Sequence, residues 1–253
     1  MNTNTSHPLL AHDEPPAFDI LRANGSSPIV IVCDHASNRV PRCLQQLGLD
    51  PSQLEKHIAW DAGTANVARL LSAQLDATVI LSNYSRLVID CNRMPGSSGS
   101  IVTISDGVPI LGNQHLSEAE QLRRQRELFF PYQQAIDELL QVRNPAKTLL
   151  VGLHSFTPSL GGQHRPWSIG VCYGKDRRLA DQLLTLLPEY ISGEIGNNQP
   201  YQIDSDIDFT LPHHTSKRGI QHVMLEIRRD EIATEAQTTH WAACLANALN
   251  SVT

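Results

Sequence analysis

Two unbroken apolar runs in this chain each lead straight into a histidine. Ile29-Val30-Ile31-Val32-Cys33 is followed by Asp34 and His35, and the run from Thr148 to Leu153 is followed by His154. Short runs of this kind, bounded by turn formers and rich in β-branched residues, predict strands buried on both faces, the pattern of a parallel sheet. In open α/β sheets, ligands bind just past the carboxyl ends of the strands. The stretch Ile29 to Pro41, IVIVCDHASNRVP, is therefore a candidate site. The plainer role for His35 is to close a strand end through hydrogen bonds.

The rest of the chain alternates in the same way. Pro51 to Lys56 suggests a helical turn. Val67, Leu70, Leu71 and Leu75 fall at helical spacing and predict a helix from Gly63 to Leu75. Thr78 to Leu81 and Leu87 to Ile89 read as short strands. Met94 to Ser100 is a loop, and Ile101 to Ile104 a further short strand. Ser117 with Glu120 forms a capping box that opens a long helix toward Val142, with a kink expected at Pro131. Ile169 to Cys172 predicts a strand and Arg178 to Leu187 a helix. Asn197 to Ser216 is polar and loop-like, Gly219 to Arg228 a strand, and Ala233 to Leu249 the closing helix. This alternation predicts an α/β fold with a mixed, mostly parallel sheet flanked by helices. Residues 1–17 read as a flexible leader and residues 18–253 as a single domain.

Composition narrows the function. The chain has 253 residues, 41% of them apolar, enough for a sizeable core. A net charge of −6 and a pI near 6.0 argue against nucleic acid as a partner. No apolar run reaches membrane-spanning length, so no membrane partner is expected. The five cysteines have no CxxC spacing and three lie in or beside apolar runs, the usage of a reducing compartment. A cytoplasmic protein without disulfides is expected.

Two strand-terminal histidines suggest a metal. Neutral imidazole is the commonest protein ligand for zinc, and a catalytic zinc keeps three protein ligands. Asp61, just before the helix from Gly63, is the favoured third ligand; its plainer role is a helix N-cap. Asn38 competes, but it is neutral and the weaker donor for a divalent ion. In the strand from Gly219 to Arg228, Val223, Leu225 and Ile227 share one face, and His222, Met224, Glu226 and Arg228 the other. A carboxylate inside such a strand is costly unless paired or functional. Glu226 is either an ion-pair partner of Arg228 or a general base. Arg86, Asn92 and Arg93 bracket the run in SRLVIDCNR, and arginine with asparagine suits recognition of a carboxylate.

The ordered set HASNRVP, AWDAG, SRLVIDCNR, LHSFTP and HVMLEIR resembles the N-formylglutamate amidohydrolase family over Ile29 to Ile232. The resemblance implies a zinc-exopeptidase (phosphorylase/hydrolase-like) architecture and metal-assisted hydrolysis of the amide of a small acidic N-acyl amino acid. It implies one zinc ion on His35, Asp61 and His154, with Glu226 as catalytic base and Arg86 as oxyanion stabiliser. IDCNR resembles the Asn-Arg pair that holds a terminal carboxylate in zinc carboxypeptidases, which implies substrate binding by Asn92 and Arg93. Where carboxypeptidases have HxxE, this chain has His35-Ala36-Ser37-Asn38, and the departure turns attention to Asp61. Arg228 and His214 complete the expected substrate-binding set. His214 belongs to a loop with His213 and Arg218, which could equally be solvated.

Overall fold

The β-branched apolar runs form the strands, and helices cover both of their faces. The computed structural model describes residues 8–252. In chain order the elements are β1 (Phe18–Leu21), β2 (Ile29–Cys33), α1 (Pro51–Leu54), α2 (Thr64–Leu75), β3 (Thr78–Ser82), β4 (Ile104–Ser105) and β5 (Val108–Pro109). Next come α3 (Glu118–Arg124), α4 (Phe130–Gln141), β6 (Leu149–Phe156), β7 (Ser159–Leu160), β8 (Gln163–His164) and β9 (Ile169–Cys172). The chain ends with α5 (Arg178–Leu186), β10 (Ile195–Asn197), α6 (Thr210–Thr215), β11 (Gln221–Arg228) and α7 (Glu235–Asn250).

Seven strands form one sheet in the order β1-β3-β2-β6-β11-β9-β10. The central strands β3, β2, β6 and β11 are parallel, while β1 and β9 pair antiparallel to their inner neighbours. The mixed, mostly parallel α/β fold expected from the alternation is the fold observed. From β2 the chain turns to β3 on one side, and later places β6 on the other. This is a topological switch point, where the strand ends splay to leave a crevice.

Alternation along each strand sorts the core into two layers. Ile31, Val151, Leu153, Val223, Leu225 and Ile227 face α2, α5 and α7. Val30, Val32, Leu150 and Met224 face the opposite layer, where Tyr132, Ile136 and Leu140 of α4 and Leu211 of α6 pack. Glu226 continues the face that carries Met224, as the two-residue period requires.

Several expectations need correction. Leu87 to Ile89 is buried but forms no strand. Its carbonyls are taken by side chains: Asn113 Nδ2 donates to Leu87 and Arg124 Nη1 to Val88, so no ladder is needed to satisfy the backbone. Strand structure near Ile101 is confined to β4. The long helix after Ser117 continues past Pro131, but through a widened π turn at Gln125–Phe129 that accommodates the missing proline N–H. β10 ends at the first residue of the polar stretch 197–216, and α6 lies near its end. Of the expected flexible leader, residues 1–7 lie outside the described residues. Leu9 is wholly buried, and the Glu127 carboxylate accepts from the N–H groups of Leu9 and Leu10, so this part of the leader is docked. All five cysteines are free thiols. No helix among the described residues is long and apolar enough to cross a membrane.

Candidate active site

The switch point brings together side chains that are far apart in sequence. β2 ends at Cys33, and Asp34 and His35 continue past the sheet edge. β6 runs to Phe156, so His154 lies near the end of the neighbouring strand. Asp61 stands just before α2, and its N–H donates to the His35 carbonyl at 2.9 Å, which draws the start of that helix against the strand ends. Glu226 of β11 is the cross-strand partner of His154.

His35, Asp61 and His154 form one buried cluster whose donor atoms lie within 4.8 Å of one another. Asp61 Oδ2 lies 3.4 Å from His35 Nδ1 and 3.0 Å from His154 Nδ1, and it also accepts from the Ser155 N–H at 3.3 Å. Each imidazole is held on its far side by a second carboxylate. His35 Nε2 bonds to Asp90 Oδ1 at 2.8 Å, and His154 Nε2 pairs with Asp34 Oδ2 at 3.2 Å. A carboxylate on Nε2 holds each ring from its far side and turns Nδ1 toward Asp61, so a metal that displaced the Nδ1 protons would meet histidines oriented as ligands. Two imidazoles and a carboxylate, backed by two further carboxylates, form a donor set that fits a divalent cation.

The electrostatics agree. Burial alone would depress the His154 pKa. Asp34 and Asp61 outweigh it and hold the imidazole well above its usual range. Burial likewise works against ionised Asp61, yet the two histidines keep its carboxyl well below normal. Without a metal, the two imidazoles thus carry the positive charge that Asp34, Asp61 and Asp90 attract. Glu226 behaves in the opposite way. Burial raises it to about 7, against the pull of His154, His35 and Arg86, and its Oε2 is buried without a hydrogen-bond partner.

A cavity of about 450 Å³ opens over this cluster. His35, Asp61, Arg86, Asn92, Arg93, His154 and Glu226 all line it, so the structure collects most of the expected site residues around one space. A family profile described as N-formylglutamate amidohydrolase matches residues 27–233, which includes every one of these residues.

The chain belongs to the N-formylglutamate amidohydrolase family.

The gene product Atu2144 from Agrobacterium tumefaciens is 36% identical, with a TM-score of 0.91 over 96% of this chain and 99% of that one. N-formylglutamate amidohydrolase from Ralstonia eutropha JMP134 shares the fold, at 17% identity and a TM-score of 0.68, covering 94% of this chain and 97% of that one. No curated protein matches the sequence. As a member of the N-formylglutamate amidohydrolase family, the chain is a hydrolase acting on amide bonds.

Within this N-formylglutamate amidohydrolase framework, Arg86 is held by Asp90 Oδ2 at 2.8 Å and lies 3.8 Å from Asp61 Oδ1. Arg93 Nη1 donates to Asp208 Oδ1 at 2.8 Å and to the Asn92 carbonyl at 2.9 Å. Asn92 Nδ2 donates to the same Asp208 oxygen at 3.2 Å, while its Oδ1 accepts from the N–H groups of Phe209 and Thr210. The pair that resembles a carboxylate clamp does hold a carboxylate, and it is one from this chain.

Two expected residues, Arg228 and His214, are not brought to the cavity, and neither is Asn38, the disfavoured alternative to Asp61. Arg228 points away from Glu226 and pairs with Asp230 and Glu231 at 2.7 and 3.0 Å. A strand residue two positions from Glu226 shares its face, but the strand ends at Arg228 and its long stem reaches the following turn instead. His214 is wholly buried in α6, where its Nε2 bonds to Gln133 Oε1 at 2.8 Å, and burial lowers its pKa to about 4. It is a neutral core histidine. Asn38 donates to the Leu54 carbonyl and the Glu55 carboxylate, outside the cluster. Conversely, the orienting carboxylates Asp34 and Asp90 were not picked out from sequence. The available signal was their place in CDH and IDC, where an acidic residue at the end of a buried run needs a partner.

Proposed function

We propose that the protein hydrolyses the amide of an N-acyl amino acid, with N-formylglutamate as the family's reference substrate, using one zinc ion held by His35, Asp61 and His154. The convergence of these three residues beside an unpartnered Glu226 carries this reading. Two nitrogen donors and one carboxylate suit zinc better than magnesium or calcium, which favour oxygen ligands alone. When bound, the metal supplies Lewis acidity, polarising the amide carbonyl and acidifying water.

The chain's own residues do the rest. Glu226 accepts a proton from the attacking water and delivers it to the leaving nitrogen. Its carboxylate is buried beside the cluster with Oε2 free of any hydrogen-bond partner, which leaves it able to take and return that proton. Arg86, its orientation fixed by Asp90, stabilises negative charge that develops on the carbonyl oxygen. Arg93 has spent only Nη1, so Nε and Nη2 of its planar fork can take the substrate carboxylate. Asn92 keeps one Nδ2 hydrogen for the same purpose, since the other goes to Asp208. A reducing, cytoplasmic setting suits the five free thiols.

The test combines metal analysis of purified protein with a screen of N-acyl amino acids. The expected result is about one zinc per chain, hydrolysis of at least one N-acyl amino acid, and loss of both turnover and metal on chelation. A fully active metal-free preparation would overturn the metal assignment. A metal-loaded protein inert toward every N-acyl amino acid would overturn the substrate class.

A further inference from the structure

The arginines that line the cavity are each committed to a carboxylate of this chain: Arg86 to Asp90 and Arg93 to Asp208. Arg93 retains donors for one substrate carboxylate. A dicarboxylic amino acid brings two. The wall itself is acidic, with Asp204 and Asp208 lining it beside Asp61 and Glu226. Placing a second carboxylate in that field needs another cation, because like charges brought together cost several kcal/mol. His57 also lines the cavity, but burial lowers its pKa and favours the neutral ring.

Arg165 meets the requirement. It follows the β7–β8 hairpin, and its backbone N–H donates to the Pro158 carbonyl at 2.9 Å, closing the base of that hairpin. Its guanidinium lies 5.1 Å from the centroid of the Tyr201 ring and 5.9 Å from that of Phe156, and both rings line the cavity. Nη1 donates to the Tyr201 hydroxyl at 3.0 Å. No carboxylate pairs with Arg165 among the described residues. Ring stacking holds the guanidinium without consuming its donors, so Nε and Nη2 stay uncommitted in a fork that matches a carboxylate.

We infer that Arg165, steadied by Tyr201 and Phe156, reads the side-chain carboxylate of a dicarboxylic N-acyl amino acid and so sets the preference for acidic side chains. This rests on the N-acyl amino acid reading and assigns it a specificity-determining residue. In this arrangement Arg93 takes the main-chain carboxylate and Arg165 the distal one.

The experiment compares N-formylglutamate with N-formylglutamine, which differ in side-chain charge but hardly in size, on the metal-loaded protein. The parent is expected to favour N-formylglutamate. Arg165→Gln should lower kcat/KM for N-formylglutamate by about 10- to 100-fold, mainly through KM, and leave N-formylglutamine within about twofold. Arg165→Lys should recover part of the loss. Equal losses on both substrates, no loss on either, or a parent without preference would each overturn the inference. Calorimetric binding of free glutamate and glutamine to the same proteins gives a second readout. If the parent hydrolyses neither N-formyl compound, the formyl group is the wrong acyl group, yet a preference for binding glutamate that disappears in Arg165→Gln would still uphold the role of Arg165. Equal binding of glutamate and glutamine by the parent would end it.

Discussion

Glu226 and Arg228 stand two residues apart on one face of β11, yet they do not pair. Arg228 turns to Asp230 and Glu231, and Glu226 keeps a buried oxygen without a partner beside the His154 imidazole. This separates a structural ion pair from a group held in readiness for a proton.

Glu226→Gln gives opposite results on the two accounts. As a base, its loss should reduce kcat by about two to four orders of magnitude. Stability should move the other way. Burial raises the folded-state pKa from 4.5 to about 7. The folded protein therefore binds this proton more tightly than the unfolded chain, and ionisation costs stability. The cost is absent below about pH 4.5 and grows to its full value above about pH 7. In metal-free protein the Gln variant should thus melt higher than the parent at pH 8, by up to about 3 kcal/mol of stability, and match it near pH 4. A variant that melts lower at every pH would restore the ion-pair reading.

His35→Ala, His154→Ala and Asp61→Ala should each lose the bound metal, whereas Asn38→Ala should keep it. Asn38 is engaged with Leu54 and Glu55, and Asp61 lies between the two Nδ1 atoms. Elemental analysis of the four purified variants decides this, and metal retained by Asp61→Ala but lost by Asn38→Ala would reverse the assignment.

Asp34 and Asp90 bond to the Nε2 atoms of His154 and His35, on the side of each ring away from Asp61. Asp34→Asn and Asp90→Asn should weaken metal affinity by about 10- to 100-fold while leaving one metal per chain at saturation. A competitive chelator titration measures this; unchanged affinity in both variants would mean that the imidazoles are oriented by their surroundings alone.

Arg93→Ala should raise KM for N-acyl amino acids at least about tenfold with a smaller effect on kcat, since a carboxylate clamp acts in the ground state and the transition state alike. Arg228→Ala should leave KM unchanged and lower the melting temperature slightly, because its partners are a turn and two carbonyls. Steady-state kinetics on the two variants side by side would expose a mistaken choice between these arginines.

β2 and β6 were readable because they are buried on both faces and so appear as apolar runs, and β11 because Val223, Leu225 and Ile227 alternate along it. The two histidines were readable for the same reason, as polar interruptions at the end of such runs. Leu87–Ile89 has an equally apolar local pattern, and what denies it a ladder is the reach of Asn113 and Arg124 from distant parts of the chain. His214 sits in a polar stretch that gives no hint of burial, and its environment is set by Gln133, which is 81 residues away. The occupation of the Asn92–Arg93 clamp by Asp208 is likewise a contact across more than a hundred residues, at separations of 116 and 115, and no local pattern encodes it.

The position of the site at the β2–β6–β11 junction ties metal retention to the order in which the chain folds. Cys33 Sγ already bridges 120 residues to reach the Leu153 carbonyl, and Glu226 arrives only when β11 docks on β6. Parallel pairings over such separations form slowly, because loop-closure entropy must be overcome before they gain contacts. A metal that binds the assembled centre and not the unfolded chain stabilises only molecules whose central strands are paired. Bound metal would then report on the pairing of β2 with β6 and not on the docking of β11, since a chain released before residue 221 would carry all three proposed ligands without Glu226.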